Sequence, residues 1–570
     1  MAQTQTRPDS AAEAEETRLE VIAKYNGDLS ALAGDVGAEA ELLTQGYAIL
    51  TLDRERIPEL YAYPQIESLE LPKELYIVSA YNLISTCVAP VQRPGEYGLT
   101  GKGVIVAVID SGIDYTHPDF RKEDGSSRIL WLWDQTEQGV PPAGFSAGAE
   151  YSRAQLDEAL RSAEPLKAVP STDTAGHGTA VAGVAAGNGR ASGGENAGVA
   201  PEADLIVVKV GTRGYRSFAR TTELMRAVKY VIDKARRENQ PVAVNISLGM
   251  NNGSHRGDSL FETYLSEISV EWKSVIVTPT GNEGSAGHHY AGQIASGQTQ
   301  EVEFFTAAGL ERFYLSLWKN FADSFSVELL FPSGLSSGVV DIESQVKNVR
   351  MGNMALTVVY GQPTHYSARQ EIFLSVRAEK GVLPAGLWRL RLAAGTVVDG
   401  RFGIWLPTQE EVTDKTQFSS PTADGTMTIP STAEKVIAVA GYNDWLGNIA
   451  EFSGVGSPNA ALPNPDLTAP AVGVLTAAAG GYYDTFSGTS LAAPFVTGSA
   501  ALMMEWGIVR KNDPFLYGER VRAFLRLGAA RRPGTVYPNR TFGYGTLCLN
   551  STMSYLERYQ WGGFQIWLPE

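Results

Sequence analysis

Cysteine is scarce in this 570-residue chain: Cys87 and Cys548 are the two present. A disulfide framework of the kind that staples small secreted domains needs more. With no CxxC or His/Cys spacing, neither residue offers a zinc site, and both are expected to be reduced, buried small hydrophobes. Basic residues are outnumbered, 47 Lys and Arg against 63 Asp and Glu, for a net charge of −16. No Lys/Arg cluster stands out, which excludes a phosphate-tracking surface and, with it, nucleic acid as a partner. No uninterrupted apolar run is long enough to span a bilayer, and the start MAQTQTRPDSAAEAEETRLE has no apolar segment behind a basic one. The expectation is no membrane span and no visible signal peptide, which leaves the cellular location unknown. What remains, 44% hydrophobic and 19% charged residues, is the composition of a globular protein with one large core and one or two smaller domains.

Between residues 101 and 290, short apolar runs alternate with helical patterns: VIVAVI (104–109), HGTAVAGVAAG (177–187), DLIVVKV (204–210), TTELMRAVKYVIDKARRE (221–238), VAVNISL (242–248) and SVIVT (274–278). This rhythm predicts an α/β fold of parallel strands with crossover helices. Strands apolar at nearly every position are covered on both faces, as in a doubly wound sheet, so active groups belong at the strands' carboxyl ends. The rhythm stops near His289 and resumes at KVIAVAGYN (435–443). Between them EVEFFTAA, RFYLSLWK, SFSVELLF, GVVDIE, NMALTVVY, EIFLSV, LWRLRLAA and GRFGIWL predict about eight short strands, an inserted β-sandwich, or jelly roll, over 292–425. Trp318, Trp388 and Trp405 are expected in its core. Residues 1–80 combine a helix-like acidic start with the strand-like YAILTL (47–52) and IESLEL (66–71), a small α+β domain. The remaining segments, 81–291 and 426–570, make up the two parts of the main domain.

Four short motifs carry chemistry. In VIDSGID (108–114), Asp110 follows six apolar residues, so its strand delivers a largely desolvated carboxylate to the sheet's carboxyl edge, where it must be paired. A plain turn-capping Asp is the competing reading. In GHGTAVAG (176–183), His177 stands between glycines at the start of a small-residue helix, a placement suited to proton transfer. His117, His255, His288, His289 and His365 lack such scaffolding. In FSGTSLAAP (486–494), Gly488, Ala492 and Ala493 leave Ser490 bare at a helix start, so that a substrate can reach its hydroxyl and its N–H can meet an oxyanion. Pro494 is expected in the first turn, where a missing N–H costs nothing. In TPTGNEG (278–284), the Asn282 amide could donate a second bond to that oxyanion.

VIDSGID, GHGTAVAG, GNEG and GTSLAAP, in this order, resemble the subtilisin-like serine proteases, or subtilases (S8 family). The resemblance implies a serine endopeptidase with Asp110, His177 and Ser490 catalytic and with Asn282 and the Ser490 N–H as oxyanion hole. It implies substrate binding by Ser247, Leu248 and Gly249 and by Thr280 and Gly281, with GTRGYRSFA (211–219) near the opposite edge strand. Neither metal nor cofactor is required. Ala180 stands where many subtilases have a second histidine, and GNGRASGGENAG (187–198) lacks the calcium loop of secreted subtilisins, so that site is not carried over. The stretch RKEDGSSRILWLWDQT (121–136) is extra length between Asp110 and His177.

The block after Asn282 and the N-terminal domain together resemble the Csp proteases of spore-forming Clostridia. These carry a prodomain and an inserted jelly roll, and they cut the precursor of a spore-cortex lytic enzyme during germination. The resemblance implies that residues 1–80 are a prodomain that chaperones and inhibits, cut between residues 74 and 96. It further implies a cortex-hydrolase zymogen as protein substrate and a spore-associated location. For the sandwich it leaves a brace or a docking surface. Alternatives are a catalytically silent binding or signalling protein on the same scaffold, as some Csp members are, and a broad-specificity intracellular subtilase.

Overall fold

The computed structural model describes residues 18–42, 47–70, 81–211, 219–344, 346–364, 366–412, 415–458 and 464–561. The chain divides into two compact units, Met1–Ile77 and Val78–Glu570. In the first, β1 (Arg18–Tyr25), α1 (Ser30–Val36), β2 (Glu39–Leu42), β3 (Tyr47–Asp53) and β4 (Ile66–Glu70) form an antiparallel sheet in the order β2-β3-β1-β4 with one helix. Alternate residues Ala48, Leu50 and Leu52 of β3 and Val21 and Ala23 of β1 share one core with Leu32 and Val36 of α1, as the two-residue period of a strand requires. YAILTL and most of IESLEL are strands. The helix-like start, residues 1–17, lies outside the described residues.

The second unit begins with α2 (Tyr81–Ser85), α3 (Val88–Gln92), β5 (Ile105–Asp110), β6 (Ile129–Asp134), β7 (Ala149–Ser152), α4 (Arg153–Arg161) and α5 (Pro165–Ala168). It continues with α6 (His177–Ala186), β8 (Asp204–Lys209), α7 (Thr221–Glu238), β9 (Val242–Ile246), α8 (Leu260–Ile268) and β10 (Ser274–Pro279). Strands then dominate: β11 (His289–Gln293), β12 (Thr299–Thr306), β13 (Arg312–Asn320), β14 (Phe325–Leu330), β15 (Val346–Met351), β16 (Met354–Tyr360), β17 (Arg369–Ala378), β18 (Gly386–Ala394), β19 (Arg401–Trp405) and β20 (Gln417–Phe418). The unit closes with β21 (Ile437–Tyr442), β22 (Leu467–Pro470), β23 (Val474–Ala478), β24 (Tyr482–Phe486), α9 (Thr489–Met504), α10 (Glu519–Gly528) and α11 (Leu549–Trp561).

The central sheet runs β22-β21-β10-β9-β5-β8-β6-β7, parallel except for the antiparallel edge pair β6–β7. β5 is buried at every position. Its Val106 and Val108 join the core that holds α6 and α9, and its Ile105, Ala107 and Ile109 join the core against α7 and α8. That is why the strands read as unbroken apolar runs. α7 turns one stripe inward, Leu224, Ala227, Val228, Val231, Ile232 and Ala235, the spacing of one helical face. Thr489–Val509 is long and apolar enough to cross a membrane, but 89% of its most apolar window is buried inside the protein, so it is a core helix.

Residues 121–136 correct an expectation in part: six of them, 129–134, form a strand of the central sheet rather than a surplus connection. Ile129–Asp134 pairs in parallel with β8, and Lys234 of α7 lies 3.2 Å from the Trp131 ring centroid while pairing with Glu150 at 2.7 Å. A second correction concerns the cysteines. Cys87 and Cys548, 461 residues apart, form a disulfide with a Cα–Cα distance of 4.8 Å. α3 and α11 pack together, and the Leu549 N–H donates to Thr86 O at 3.0 Å, so folding brings side by side what sequence spacing cannot relate.

The strand-rich segment forms a six-stranded sheet, β11-β19-β13-β17-β16-β15, and a four-stranded sheet, β14-β18-β12-β20, both antiparallel. Leu315, Leu374 and Ile404 of the first share one core with Phe304, Trp388 and Leu390 of the second. GVVDIE (338–343) is not a strand: Val340 makes an isolated bridge to Val327, and the edge partner of β16 is Val346–Met351. Of the three tryptophans, Trp388 is in the core, Trp318 is half-buried and bonded to Ser316 Oγ at 2.9 Å, and Trp405 stacks between His255 and His289.

Candidate active site

Asp110 is the last residue of β5 and is fully buried. Its Oδ1 accepts from His177 Nδ1 at 2.7 Å and from the Ser111 N–H at 2.7 Å. Close approach of β5 and α6 makes the His177 bond possible: any Cβ at Gly178 would overlap the Gly112 carbonyl and come within 3.1 Å of Asp110 Cβ. A second carboxylate, which the motif reading missed, builds the turn before α6. Asp173 Oδ1 accepts from the Ser111 hydroxyl at 2.8 Å and the Gly176 N–H at 3.0 Å, and its Oδ2 accepts from Thr179 N at 2.8 Å and Oγ1 at 2.7 Å. The acid four residues ahead of His177 in STDTAGHGT was the available signal.

With Nδ1 committed to Asp110, Nε2 is the nitrogen left for a substrate-side proton, and the ring is 36% exposed. Burial works to lower the His177 pKa, but the Asp110 carboxylate, aided by Asp173 and Glu410, outweighs it and raises the value to about 8. The ring therefore gains its proton more readily than a free histidine.

Ser490 is half-buried at the second position of α9, where its N–H has no partner within the helix. α9 packs on α6, and small residues allow it: a Cβ at Gly498 would lie 2.7 Å from Ala185 O. Asn282 Oδ1 accepts from Thr489 N at 3.0 Å and Thr489 Oγ1 at 3.1 Å, which orients the amide nitrogen away from those donors. Gly488, at φ 147, caps the helix, and a Cβ there would lie 3.6 Å from Asn282 Nδ2 and 3.9 Å from Ser490 N. A side chain would thus occupy the space between two N–H donors, and glycine keeps it open.

Pro494 is not in the first turn, where the sequence alone predicts it, but in the second, five residues after Thr489. Its missing N–H leaves Ser490 O without its helical partner. Ser247 Oγ donates to that carbonyl at 3.1 Å, receives Asn245 Nδ2 at 2.7 Å, and Asn245 Oδ1 in turn accepts from Thr497 Oγ1 at 2.9 Å. The Ser247 hydroxyl is therefore committed to holding the Ser490 turn. Thr280 is likewise internal, fully buried, with its N–H on Val439 O and its carbonyl taking the Thr428 N–H, each at 2.9 Å. Leu248 is half-buried, Gly249 exposed and Gly281 half-buried, so these three form the accessible surface of the expected substrate-binding set. Residues 212–218 of GTRGYRSFA lie outside the described residues.

Glu283, next to Asn282, is also buried. It accepts from His288 Nδ1 at 2.5 Å, Asn251 Nδ2 at 3.1 Å and the Gln409 N–H at 3.0 Å. His288 Nε2 faces Thr416 O at 2.7 Å, so both ring nitrogens are engaged inside the protein. Histidines 117, 255, 288 and 289 are all buried and bonded, which the absence of a motif around them concealed. His365 lies outside the described residues. Among the described residues no group of three or more His, Cys, Asp or Glu side chains could hold a metal ion.

The model of the subtilase family matches residues 101–311 and 287–545, and that of the Csp protease B prodomain matches residues 3–73. The solved structure of the Clostridium perfringens CspB protease superposes with a TM-score of 0.77 at 36% identity, covering 84% of this chain and 98% of that one. The PII-type proteinase of Lacticaseibacillus paracasei is 24% identical over 80% of this chain, and subtilisin E of Bacillus subtilis is 28% identical over 42% of this chain and 50% of its own length. This chain spans 25% of the length of the PII-type proteinase. From the prodomain match at one end to the strand-end motifs and the helix that carries Ser490 at the other, the chain belongs to the subtilase family, of the Csp-like kind.

Proposed function

We propose that the protein is a serine endopeptidase in which Asp110, His177 and Ser490 act together. The observation that carries this is the 2.7 Å bond to a fully buried Asp110, at the carboxyl end of β5, from Nδ1 of His177, which opens α6, the helix packed against the one that carries Ser490 in its first turn. Neutral His177 takes the Ser490 hydroxyl proton as the oxygen attacks a peptide carbonyl, and Asp110 stabilises the imidazolium that forms. Asn282 Nδ2 and the Ser490 N–H receive the oxyanion. His177 then gives its proton to the leaving amine, and water repeats the sequence on the acyl-enzyme. Labelling by a fluorophosphonate that is present in the wild type and absent in Ser490→Ala, together with peptide hydrolysis that follows the same pattern, tests this. Equal behaviour of the two proteins would refute it.

Residues 1–80 are then the prodomain, cut between residues 74 and 96 by the same site, and N-terminal sequencing of purified wild type beside Ser490→Ala reads that bond directly. The domain limits follow: 81–291 and 426–570 form the catalytic domain, and 292–425 is a jelly roll inserted after the oxyanion asparagine to brace it. Resemblance to the Csp group supports a zymogen of a spore-cortex lytic enzyme as the protein substrate during germination, with a spore-associated location. Cleavage of such a purified zymogen at one bond, against indiscriminate cleavage of a peptide library, separates this role from broad degradation.

A further inference from the structure

Asn282 is held from several sides. Its amide oxygen takes both Thr489 donors. Backbone bonds to the loop at 452–454 pin its neighbours, Gly454 N to Gly281 O at 2.9 Å and Gly284 N to Phe452 O at 2.8 Å. The remaining tie is Glu283, 1% exposed, whose carboxylate takes His288 Nδ1, Asn251 Nδ2 and the Gln409 N–H. His288 lies directly before β11 and Gln409 follows β19, so two of these donors come from the chain entering and leaving the strand-rich segment. Those two stretches are bonded to each other, Leu406 N to His288 O at 2.9 Å, and Asn251 Nδ2 also reaches Leu406 O at 3.1 Å. Gln409 stands second in a turn closed by the Glu411 N–H on Thr408 O at 2.9 Å. The third residue of the turn, Glu410, is exposed, and its charge acts on His177. One turn of the strand-rich segment therefore reaches both the neighbour of Asn282 and the surroundings of His177.

Stability alone does not account for a carboxylate in this place. Burial strips it of hydration, and apolar residues of equal volume often serve a fold as well or better than a buried ionic group. What a carboxylate with several fixed donors supplies is direction, because each charge-assisted bond has a preferred length and angle. The backbone it directs is that of Asn282. Displacing a group of this kind by about 1 Å costs up to about 10²-fold in rate.

We propose that Glu283 is a positioning residue for Asn282 and that the turn at 408–411 sets its place, so that the strand-rich segment completes the oxyanion site rather than only stiffening the domain. This rests on the endopeptidase reading and adds a part to its machinery. When Glu283 loses a donor, the loop at 281–284 drifts and Asn282 Nδ2 meets the oxyanion less well. Ground-state binding, which Asn282 does not serve, stays as it was.

Glu283→Ala would strand its donors inside the protein and test the fold as much as the site, so the donors are removed one at a time. Gln409→Pro deletes the N–H at a turn position that accommodates the fixed φ of proline, and Asn251→Ala deletes the amide on the other carboxylate oxygen. Each is made alone and beside Asn282→Ala, and kcat and KM are measured on one fluorogenic peptide, with fluorophosphonate labelling reporting whether Ser490 is reactive. Alone, each is expected to lower kcat at least about threefold, the equivalent of one net hydrogen bond, with KM unchanged within about twofold. Beside Asn282→Ala, the same substitutions are expected to change kcat by less than about twofold, because the group they position is gone. A residue that only supports the fold lowers kcat by the same factor in both backgrounds. A loss beside Asn282→Ala above that margin, or a kcat within about threefold of wild type in both single variants, overturns the proposal while leaving the endopeptidase reading intact. Wild-type protein that neither labels nor cleaves the peptide brings down the endopeptidase reading, and this inference with it.

Discussion

The parallel sheet of the second unit and the antiparallel pair of sheets at residues 289–418 handle polar groups in opposite ways. At the carboxyl ends of β5 and β10 the parallel sheet releases Asp110 and the loop holding Asn282 toward a solvent-reaching edge, where His177 is 36% exposed. Where the antiparallel segment meets that loop, Glu283, His288 and Asn251 are buried, and Glu283 bonds to His288, to Asn251 and to the Gln409 N–H. One region leaves an imidazole within reach of water. The other uses the same residue types, a carboxylate and an imidazole, as fixed joints. The residue type does not determine the role; access to water and the number of bonds already made do.

Breaking the chemistry on one side should have the largest effect. Ser490→Ala is expected to lower kcat by about a million-fold while leaving the denaturation midpoint near that of wild type, as peptide hydrolysis and chemical unfolding would show. Next, on the fixed side, His288→Ala leaves Glu283 as a buried, half-paired charge. Loss of one partner of a buried pair costs about 3–5 kcal/mol, visible as a lower denaturant midpoint with a normal acid limb in any activity that remains. Asn282→Ala falls between the two regions: kcat should drop by about 10²–10³ with KM nearly unchanged, since in the proposed mechanism the lost donor serves the oxyanion rather than the ground state.

The smallest effect sharpens the comparison by pH. Because His177 must be neutral to act and its pKa is raised to about 8, kcat/KM should climb with pH and level off above about 8. Asp173→Asn removes one of the negative charges holding it there, so that limb should move toward lower pH. In stability the sign is opposite: the attraction between Asp110 and protonated His177 favours the fold in full below the ordinary histidine pKa of about 6.5 and fades as pH rises through about 8. Denaturation midpoints of wild type and Asp110→Asn should therefore converge at alkaline pH.

What could be seen in the one-dimensional chain follows the same division. Asp110, His177, Asn282 and Ser490 each sit in a short local context, a strand end or helix start among small residues, and such contexts are readable by eye. The parallel strands are readable because burial on both faces leaves no polar interruption. Asp173 was hidden because its partners, Ser111 and Thr179, are assembled only when α6 meets β5. Thr428 sits in a connection between sheets, with nothing in TMTIP to mark Gly249 and Gly281, the two glycines it touches. GVVDIE has the composition of a strand but pairs through one isolated bridge, and ILWLWD reads as extra length because its pairing partner, β8, is remote in sequence.

The covalent tie between Cys87 and Cys548 bears on what self-cutting would release. The window of residues 74–96 straddles position 87. A break on its amino side sheds a fragment with no covalent link to the rest, and SDS would separate the pieces at once. A break on its carboxyl side leaves the severed leader chained to the far end of the polypeptide, and only a thiol reductant would set it loose. Electrophoresis with and without reductant thus reports on which flank of one cysteine the knife falls.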